Sequence, residues 1–284
     1  MKGIIIKGIG GFYYVKDADS TVYECKARGI FRKNNIKPTV GDYVEFEKGS
    51  INEIYPRKSH LIRPSVANID NLIIVIAAAN PSPDYFLTDK LIVAALASGI
   101  TPIVCINKTD LAEDTDIVNI YSKAGFEVIS ICAEKKLGIE SVERIINGKV
   151  SAFAGLSGVG KSSILNLLSD AAAQTGEISR INRGKHTTRH VELFDIGNNS
   201  FILDTPGFSS LAITEICDVK AEELEQYYPE FHTIEDDFCR FKGCSHINEP
   251  DCAVKRLVQS GSISIERYNN YTELYNQLKA VKQW

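Results

Sequence analysis

Residues 155–162 run Gly-Leu-Ser-Gly-Val-Gly-Lys-Ser and meet the spacing G-x-x-x-x-G-K-[ST]. Glycines let backbone N–H groups turn inward around phosphate oxygens. Gly155, Leu156, Ser157, Gly158, Val159 and Gly160, with Lys161, Ser162 and Ser163 after them, therefore form a candidate phosphate cradle. Lys161 sets a positive charge beside the β and γ phosphates and is a catalytic candidate as well. The Ser162 hydroxyl is placed to ligate Mg²⁺. The apolar run Val150–Ala154 before the loop and the helical stretch 162–174 after it supply the strand–loop–helix setting that such a cradle needs.

The base is addressed by Asn107-Lys108-Thr109-Asp110, directly after the apolar run Thr101–Ile106. A carboxylate at Asp110 can accept both the N1–H and the exocyclic N–H of guanine. Adenine offers no such pair of donors, and a site built on hydrogen bonds of this kind rejects the wrong analogue by about 10⁴-fold. Asn107 and Lys108 are expected to brace the loop and cover the ring. Cys132-Ala133 then stands where a second base-contacting loop usually carries Ser-Ala.

Asp204-Thr205-Pro206-Gly207 has the D-x-x-G form and ends the apolar run Phe201–Asp204. Its carboxylate would hold Mg²⁺ through water, and the Gly207 N–H would face the γ phosphate. The polar stretch 179–190 lies between this string and the phosphate loop, and offers Thr187 or Thr188 to complete the metal shell. Many proteins with these loops place a glutamine after D-x-x-G to orient the attacking water, but here that residue is Phe208. His186, neutral, can accept a hydrogen bond from water and is the first candidate for that task; His190 is the weaker one.

The base loop precedes the phosphate loop, the reverse of an ordinary small GTPase. Loops at the carboxyl edge of one parallel sheet are placed by the spatial order of the strands, and chain order matters much less. A circular permutation therefore leaves the site whole.

Cys239, Cys244, His246 and Cys252 form C-x₄-C-x-H-x₅-C, a ligand set suited to a closed tetrahedral Zn²⁺ site. The surrounding segment has little apolar material, so metal binding would supply folding energy that burial cannot. His232 lies outside the cluster and reads as a helix-end or surface residue.

These loops need a frame. Apolar runs at 69–80, 101–107, 126–132, 150–155 and 201–204 alternate with helical stretches, the pattern of a parallel sheet covered on both faces. Before them, 11–15, 20–29 and 41–47 are short alternating or β-branched runs that predict a small barrel. A polar, proline-containing linker is expected near 58–68 and an acidic helix over 219–228. The expected division is a barrel over 1–65, a permuted P-loop core over 66–214 and a zinc-binding helical domain over 215–284.

The chain has 284 residues, enough for two or three domains, with 44% hydrophobic and 24% charged residues. Its longest apolar run, Leu72–Ala79, is far short of the roughly 20 residues that span a bilayer. The N-terminus resembles no signal peptide, so a cytosolic protein with no membrane partner is expected. Seven cysteines, four of them scattered singly, suit reduced buried thiols. A net charge of −4 argues against a general nucleic-acid binder.

Taken together, the blocks at 61–75, 106–111, 155–166, 184–190 and 204–210 resemble those of the ribosome small-subunit-dependent GTPase (RsgA) family, and the likeness covers essentially the whole chain. The resemblance implies an oligonucleotide/oligosaccharide-binding (OB) barrel, a GTPase core and a zinc domain. It also implies GTP hydrolysis stimulated by the 30S subunit late in its maturation, and a histidine at the position of His186. Two basic stretches without acids, Lys26, Arg28, Arg32, Lys33 and Lys37, and Arg180, Arg183, Lys185 and Arg189, would then contact ribosomal RNA. A monomer cycling between GTP and GDP is expected. Two other readings stay open on the residues alone: an RNA-binding adaptor that uses GTP as a structural ligand, and a small-molecule P-loop kinase.

Overall fold

The computed structural model describes residues 1–33, 36–174, 191–204, 212–232 and 239–280. The chain begins with β1 (Lys2–Ile9), β2 (Phe12–Asp17), β3 (Val22–Ala27), the short helix α1 (Gly29–Lys33), β4 (Tyr43–Glu47) and β5 (Ser50–Ile54). The strands close into a barrel in the order β1-β2-β3-β5-β4. Alternation decides what fills it. In β4, Val44 and Phe46 point inward while Tyr43, Glu45 and Glu47 face solvent, and Ile5, Val15, Cys25 and Ile51 complete the interior.

The segment expected as a polar linker is instead a packed ribbon, β6 (His60–Leu61) against β7 (Val66–Ala67). Leu61, Val66 and Ala67 are fully buried. The Ala67 N–H donates to Val40 O at 2.9 Å, and Asn68 Nδ2 donates to Gly41 O at 2.9 Å. Three apolar side chains hidden among polar neighbours outweigh the composition of the segment.

Next come β8 (Asn71–Ala77), α2 (Tyr85–Ala97), β9 (Thr101–Asn107), α3 (Thr115–Lys123), β10 (Glu127–Ser130), α4 (Ile139–Ile146), β11 (Val150–Ala154), α5 (Lys161–Gln174), β12 (Phe194–Asp195) and β13 (Phe201–Asp204). They form one sheet in the order β10-β9-β8-β11-β13-β12. All neighbours are parallel except β12, which runs antiparallel to β13 at the edge. Every residue of β8 is buried, as a strand covered on both faces requires. The permutation is visible in this order. The phosphate-loop strand β11 lies between β8, which precedes it in the chain, and β13, which follows it, and α4 links edge strand β10 back to the centre.

The C-terminal part contains α6 (Ile213–Ile216), two 3-10 turns (Ala221–Tyr227 and Pro229–His232), α7 (Ala253–Gln259) and α8 (Ile265–Ala280). The expected acidic helix is thus a tight 3-10 turn. Pro229 disfavours helical geometry at Tyr228 and stops the segment before an α-helix can propagate.

Helix α8 docks on α2 through a fully buried arginine. Arg267 Nη1 donates to Asp89 Oδ1 at 2.6 Å, and its Nε and Nη2 donate to Glu230 at 2.7 and 3.0 Å. Asn270 Nδ2 adds a 2.7 Å bond to Asp89 Oδ2, and the guanidinium lies over the Tyr228 ring at 4.6 Å. Burial pushes the Asp89 carboxyl up, with the Arg267 charge as the main opposing influence. Arg267→Met would strand two buried carboxylates. The expected cost is about 3–5 kcal/mol in denaturant unfolding, and an unchanged midpoint would show that the cluster is not a stabilising contact.

Candidate nucleotide site and metal cluster

Two glycines show why the phosphate loop takes its shape. Gly155 sits at φ +140°, where an added Cβ would meet Val75 O at 2.2 Å. Gly160 sits at φ +98°, with the amide of Asn107 at 2.2 Å from the same virtual atom. The first lets the loop leave β11 tightly against β8; the second lets the base loop approach the phosphate loop. Lys161 folds over that turn, its Nζ donating to Gly155 O at 2.8 Å and Leu156 O at 2.7 Å. Burial lowers the Lys161 pKa, and the charge of Asp204 acts in the opposite direction.

Asn107 is the keystone of the site. Its Nδ2 donates to Val159 O at 2.9 Å in the phosphate loop, and its Oδ1 accepts the Ala133 N–H at 3.0 Å. One buried amide therefore ties three loops that lie far apart in sequence. Lys108, at φ +64°, donates to Asn80 O, while Thr109 Oγ1 donates to Ile131 O at 3.1 Å. Asp110 receives the Cys132 thiol at 3.2 Å and lies 3.8 Å from Lys135 Nζ. That thiol bond, with Lys135 and Lys108 adding charge, holds the Asp110 carboxyl below the usual carboxylate range, so it faces a base as an acceptor. Asn107, Lys108, Asp110, Cys132 and Ala133, with Gly160 and Ser163, line a cavity of about 380 Å³, a volume in the range of small-ligand sites.

Asp204 ends β13 in register with Phe153 of β11, which places it beside the phosphate loop. Its Oδ1 is buried and makes no hydrogen bond among the described residues. A buried carboxylate oxygen without a donor costs free energy unless a cation or water meets it, so the residue fits a role beside Mg²⁺. Ser162 is exposed at the mouth of the same loop. His186, Thr187, Thr188 and Gly207 lie outside the described residues, as do Phe208 and His190.

The four ligand atoms of Cys239, Cys244, His246 and Cys252 lie within 4.8 Å of one another. Cys239 Sγ is 3.8 Å from Cys252 Sγ, and His246 Nδ1 is 3.5 and 3.3 Å from those two sulfurs. A regular tetrahedron with metal–sulfur bonds of about 2.3 Å has edges of about 3.8 Å between sulfurs and about 3.5 Å from nitrogen to sulfur. The cluster fits a closed metal site. Glu225 was not legible as part of it: its Oε2 lies 2.8 Å from His246 Nε2, so the carboxylate orients the ring and leaves Nδ1 for the metal. A motif search sees only the ligands, and Glu225 comes from a separate 3-10 turn. Glu249 closes the ligand loop by accepting from Ser245 N at 2.8 Å and Ile247 N at 3.2 Å. His232 is exposed, with Nε2 3.2 Å from Glu225 O, and is not one of the four clustered ligands.

A larger cleft of about 750 Å³ lies on the barrel, between the β1–β2 turn, Phe31 and Val191, away from the phosphate loop. Lys26, Arg28 and Lys37 are exposed on the barrel surface. The side chains of Arg32 and Lys33, and all of Arg180, Arg183, Lys185 and Arg189, are outside the described set.

The family model for RsgA GTPase matches residues 54–214, and that for the RsgA N-terminal domain matches residues 2–55. The chain belongs to the RsgA GTPase family. The small ribosomal subunit biogenesis GTPase RsgA of Ruminiclostridium cellulolyticum is 46% identical over 99% of this chain and 95% of its own. Its counterpart in Alkaliphilus metalliredigens is 44% identical over 100% and 99%. Among solved structures, the crystal structure of YjeQ from Thermotoga maritima superposes with a TM-score of 0.83 at 34% identity, covering 99% of both chains. YloQ, described as a circularly permuted GTPase, gives 0.80 at 37% identity over 100% of this chain and 96% of that one. The permuted core and N-terminal barrel read from the sequence are those of an RsgA-family GTPase. No helix among the described residues is long and apolar enough to cross a membrane.

Proposed function

We propose that this protein is a cytoplasmic, monomeric GTPase that binds the small (30S) ribosomal subunit and hydrolyses GTP during its late maturation, with turnover stimulated by the subunit. The observation that carries the GTP reading is the Asn107 bridge, which holds the Asp110 loop, the Cys132-Ala133 loop and the phosphate loop around one cavity. The described role of the curated relatives supports the choice of partner. In this reading 1–65 is the OB barrel, 66–214 the GTPase domain and 215–284 the zinc domain. Cys239, Cys244, His246 and Cys252 hold Zn²⁺, for which three thiolates and an imidazole in a closed shell are the expected donors. Ser162, Thr188 or Thr187, and Asp204 through water, hold Mg²⁺ with the nucleotide. Bound Mg²⁺ neutralises phosphate charge, while the cradle N–H groups and Lys161 fix the phosphates. Lys26, Arg28 and Lys37 on the barrel, with the basic residues of 178–191, meet ribosomal RNA.

His186 is assigned the task of orienting the attacking water, since Phe208 cannot. GTP turnover measured with purified 30S subunits, 50S subunits and neither tests the whole reading: only 30S should accelerate it. His186→Ala should keep GTP and 30S binding and lower the stimulated rate by about 10²-fold. Full stimulation in that variant, with binding intact, removes His186 from the role.

A further inference from the structure

The barrel is fastened to the GTPase sheet at a point that bears on hydrolysis. The pairing of β1 with β2 slips between Ile5 and Lys7, so Ile6 has no partner across β2. The bulge turns the Ile6 carbonyl outward, where it accepts the Leu193 N–H at 2.8 Å. Lys7 pairs with Glu192 twice over, as an antiparallel bridge between backbones and as an ion pair at 2.8 Å. Lys16 of β2 forms a second ion pair with Asp195, and its ammonium lies 5.5 Å from the centre of the Phe201 ring. Both members of this pair are mostly buried, where such contacts are screened less than at an open surface.

Residues 192–195 lead into β12, which pairs Phe194 with Ile202 and Asp195 with Phe201. Two residues beyond Ile202 stands Asp204, with its unsatisfied buried oxygen, whose charge acts on Lys161. Barrel strands, post-loop segment and β13 thus form one hydrogen-bonded system that ends at the carboxylate assigned to the metal. On its other side the same segment follows directly from the stretch 178–190 that contains His186.

We propose that Lys7 and Lys16 couple the barrel to GTP hydrolysis: by clamping residues 192–195 to the barrel they pass a displacement of the barrel on to β12 and β13, so a partner that grips the barrel changes turnover at Asp204 and Lys161. The partner rests on the 30S reading; the clamp itself does not. Simple glue between domains would lower stability when broken but leave the ratio of stimulated to basal turnover alone.

The test uses the full-length protein. Lys16→Glu should lower the stimulation ratio about tenfold, the size of a typical coupling between sites, while basal turnover and 30S binding hold. Exchanging the charges, Lys16→Asp with Asp195→Lys, should recover most of that loss, and Lys7→Glu with Glu192→Lys should behave alike. An unchanged ratio in Lys16→Glu, or a loss that the exchanged pair does not recover, overturns the clamp. Coupling is reciprocal, so the γ phosphate must also register at the junction without any subunit. Amide exchange at Leu193 should differ between GDP and a non-hydrolysable GTP analogue, and identical exchange overturns the inference if Lys16→Glu itself fails to fold. Should wild-type protein show no stimulation by 30S, the partner reading falls and the exchange measurement decides the clamp alone.

Discussion

Asp110→Asn is expected to weaken GTP binding by about 10³–10⁴-fold and to restore much of the loss for xanthosine triphosphate. The carboxylate is only an acceptor, held ionised by the Cys132 thiol and Lys135. Guanine matches it with two donors, N1–H and the exocyclic amine. An amide presents one acceptor and one donor, so its NH₂ would confront the guanine amine. Xanthine carries a carbonyl at that place and complements the amide instead. The main chain should not move, because Asn107 holds the loop through Val159 and Ala133, bonds that do not involve residue 110. Competition of GTP, ATP and xanthosine triphosphate against a fluorescent guanine nucleotide measures the change. Equal loss for all three would mean that Asp110 supports the fold and does not read the base.

Removing the zinc proposed for the cysteine–histidine cluster should unfold the ligand segment while the barrel and sheet persist. Structural zinc supplies about 10–16 kcal/mol of apparent folding free energy to small zinc-finger peptides. The segment 239–252 contributes few buried apolar groups besides its own ligands. Much of what holds it is polar: Glu249 on the loop N–H groups, and the Tyr268 and Tyr271 hydroxyls on His246 O and Ser245 O. Without the ion, three thiols and an imidazole crowd together with nothing to bind. Treatment with a strong chelator should release about one zinc per chain and raise amide exchange over 239–252, with much smaller change in β8 and β9. Helix α8 should stay docked, because the Arg267 cluster does not depend on the metal. Glu225→Gln is expected to weaken metal affinity by about 10–100-fold without unfolding the segment. Unchanged exchange after complete metal loss would show that packing alone sustains the module.

The legible part of this protein is where chemistry demands particular residue types at short spacing. Gly155 and Gly160 at their tight approaches, the Asp110 loop at the cavity and the cluster of Cys239, Cys244, His246 and Cys252 could be read as candidates because few side chains suit those purposes at that spacing. The buried strands β8, β9 and β11 were legible for a related reason, since burial on both faces leaves an uninterrupted apolar run. What could not be read depends on partners far away in the chain. Glu225 is one of several glutamates until the fold brings His246 to it. Lys16 and Asp195 are ordinary surface types until two domains meet. Arg267 lies in a polar helical sequence, and only the arrival of Asp89 and Glu230 makes its burial possible. The ribbon at 60–67 gives no periodic signal, because buried Leu61, Val66 and Ala67 are interrupted by polar residues and by exposed Ile62, and strand β12 is too short for one. The role of Asn107 was half legible: its place in the loop was clear, but its bonds to two other loops were not.

The permuted strand order has a consequence for the protein's own synthesis. In an unpermuted chain the phosphate cradle leaves the ribosome first and waits for the base loop. Here β8, β9 and the base loop emerge first, β11 later adds to the open side of β8, and β13 adds to β11 after that. At about 5–20 residues per second, several seconds separate the appearance of Asp110 from that of Asp204. Until β11 emerges one side of β8 has no neighbour, and until Asp204 emerges the nucleotide site is incomplete. Guanine nucleotide therefore cannot assist the early steps of folding; it can reward only the last one. A nascent chain stalled before Lys161 would be blind to cellular GTP, and one released after Asp204 would sense it at once.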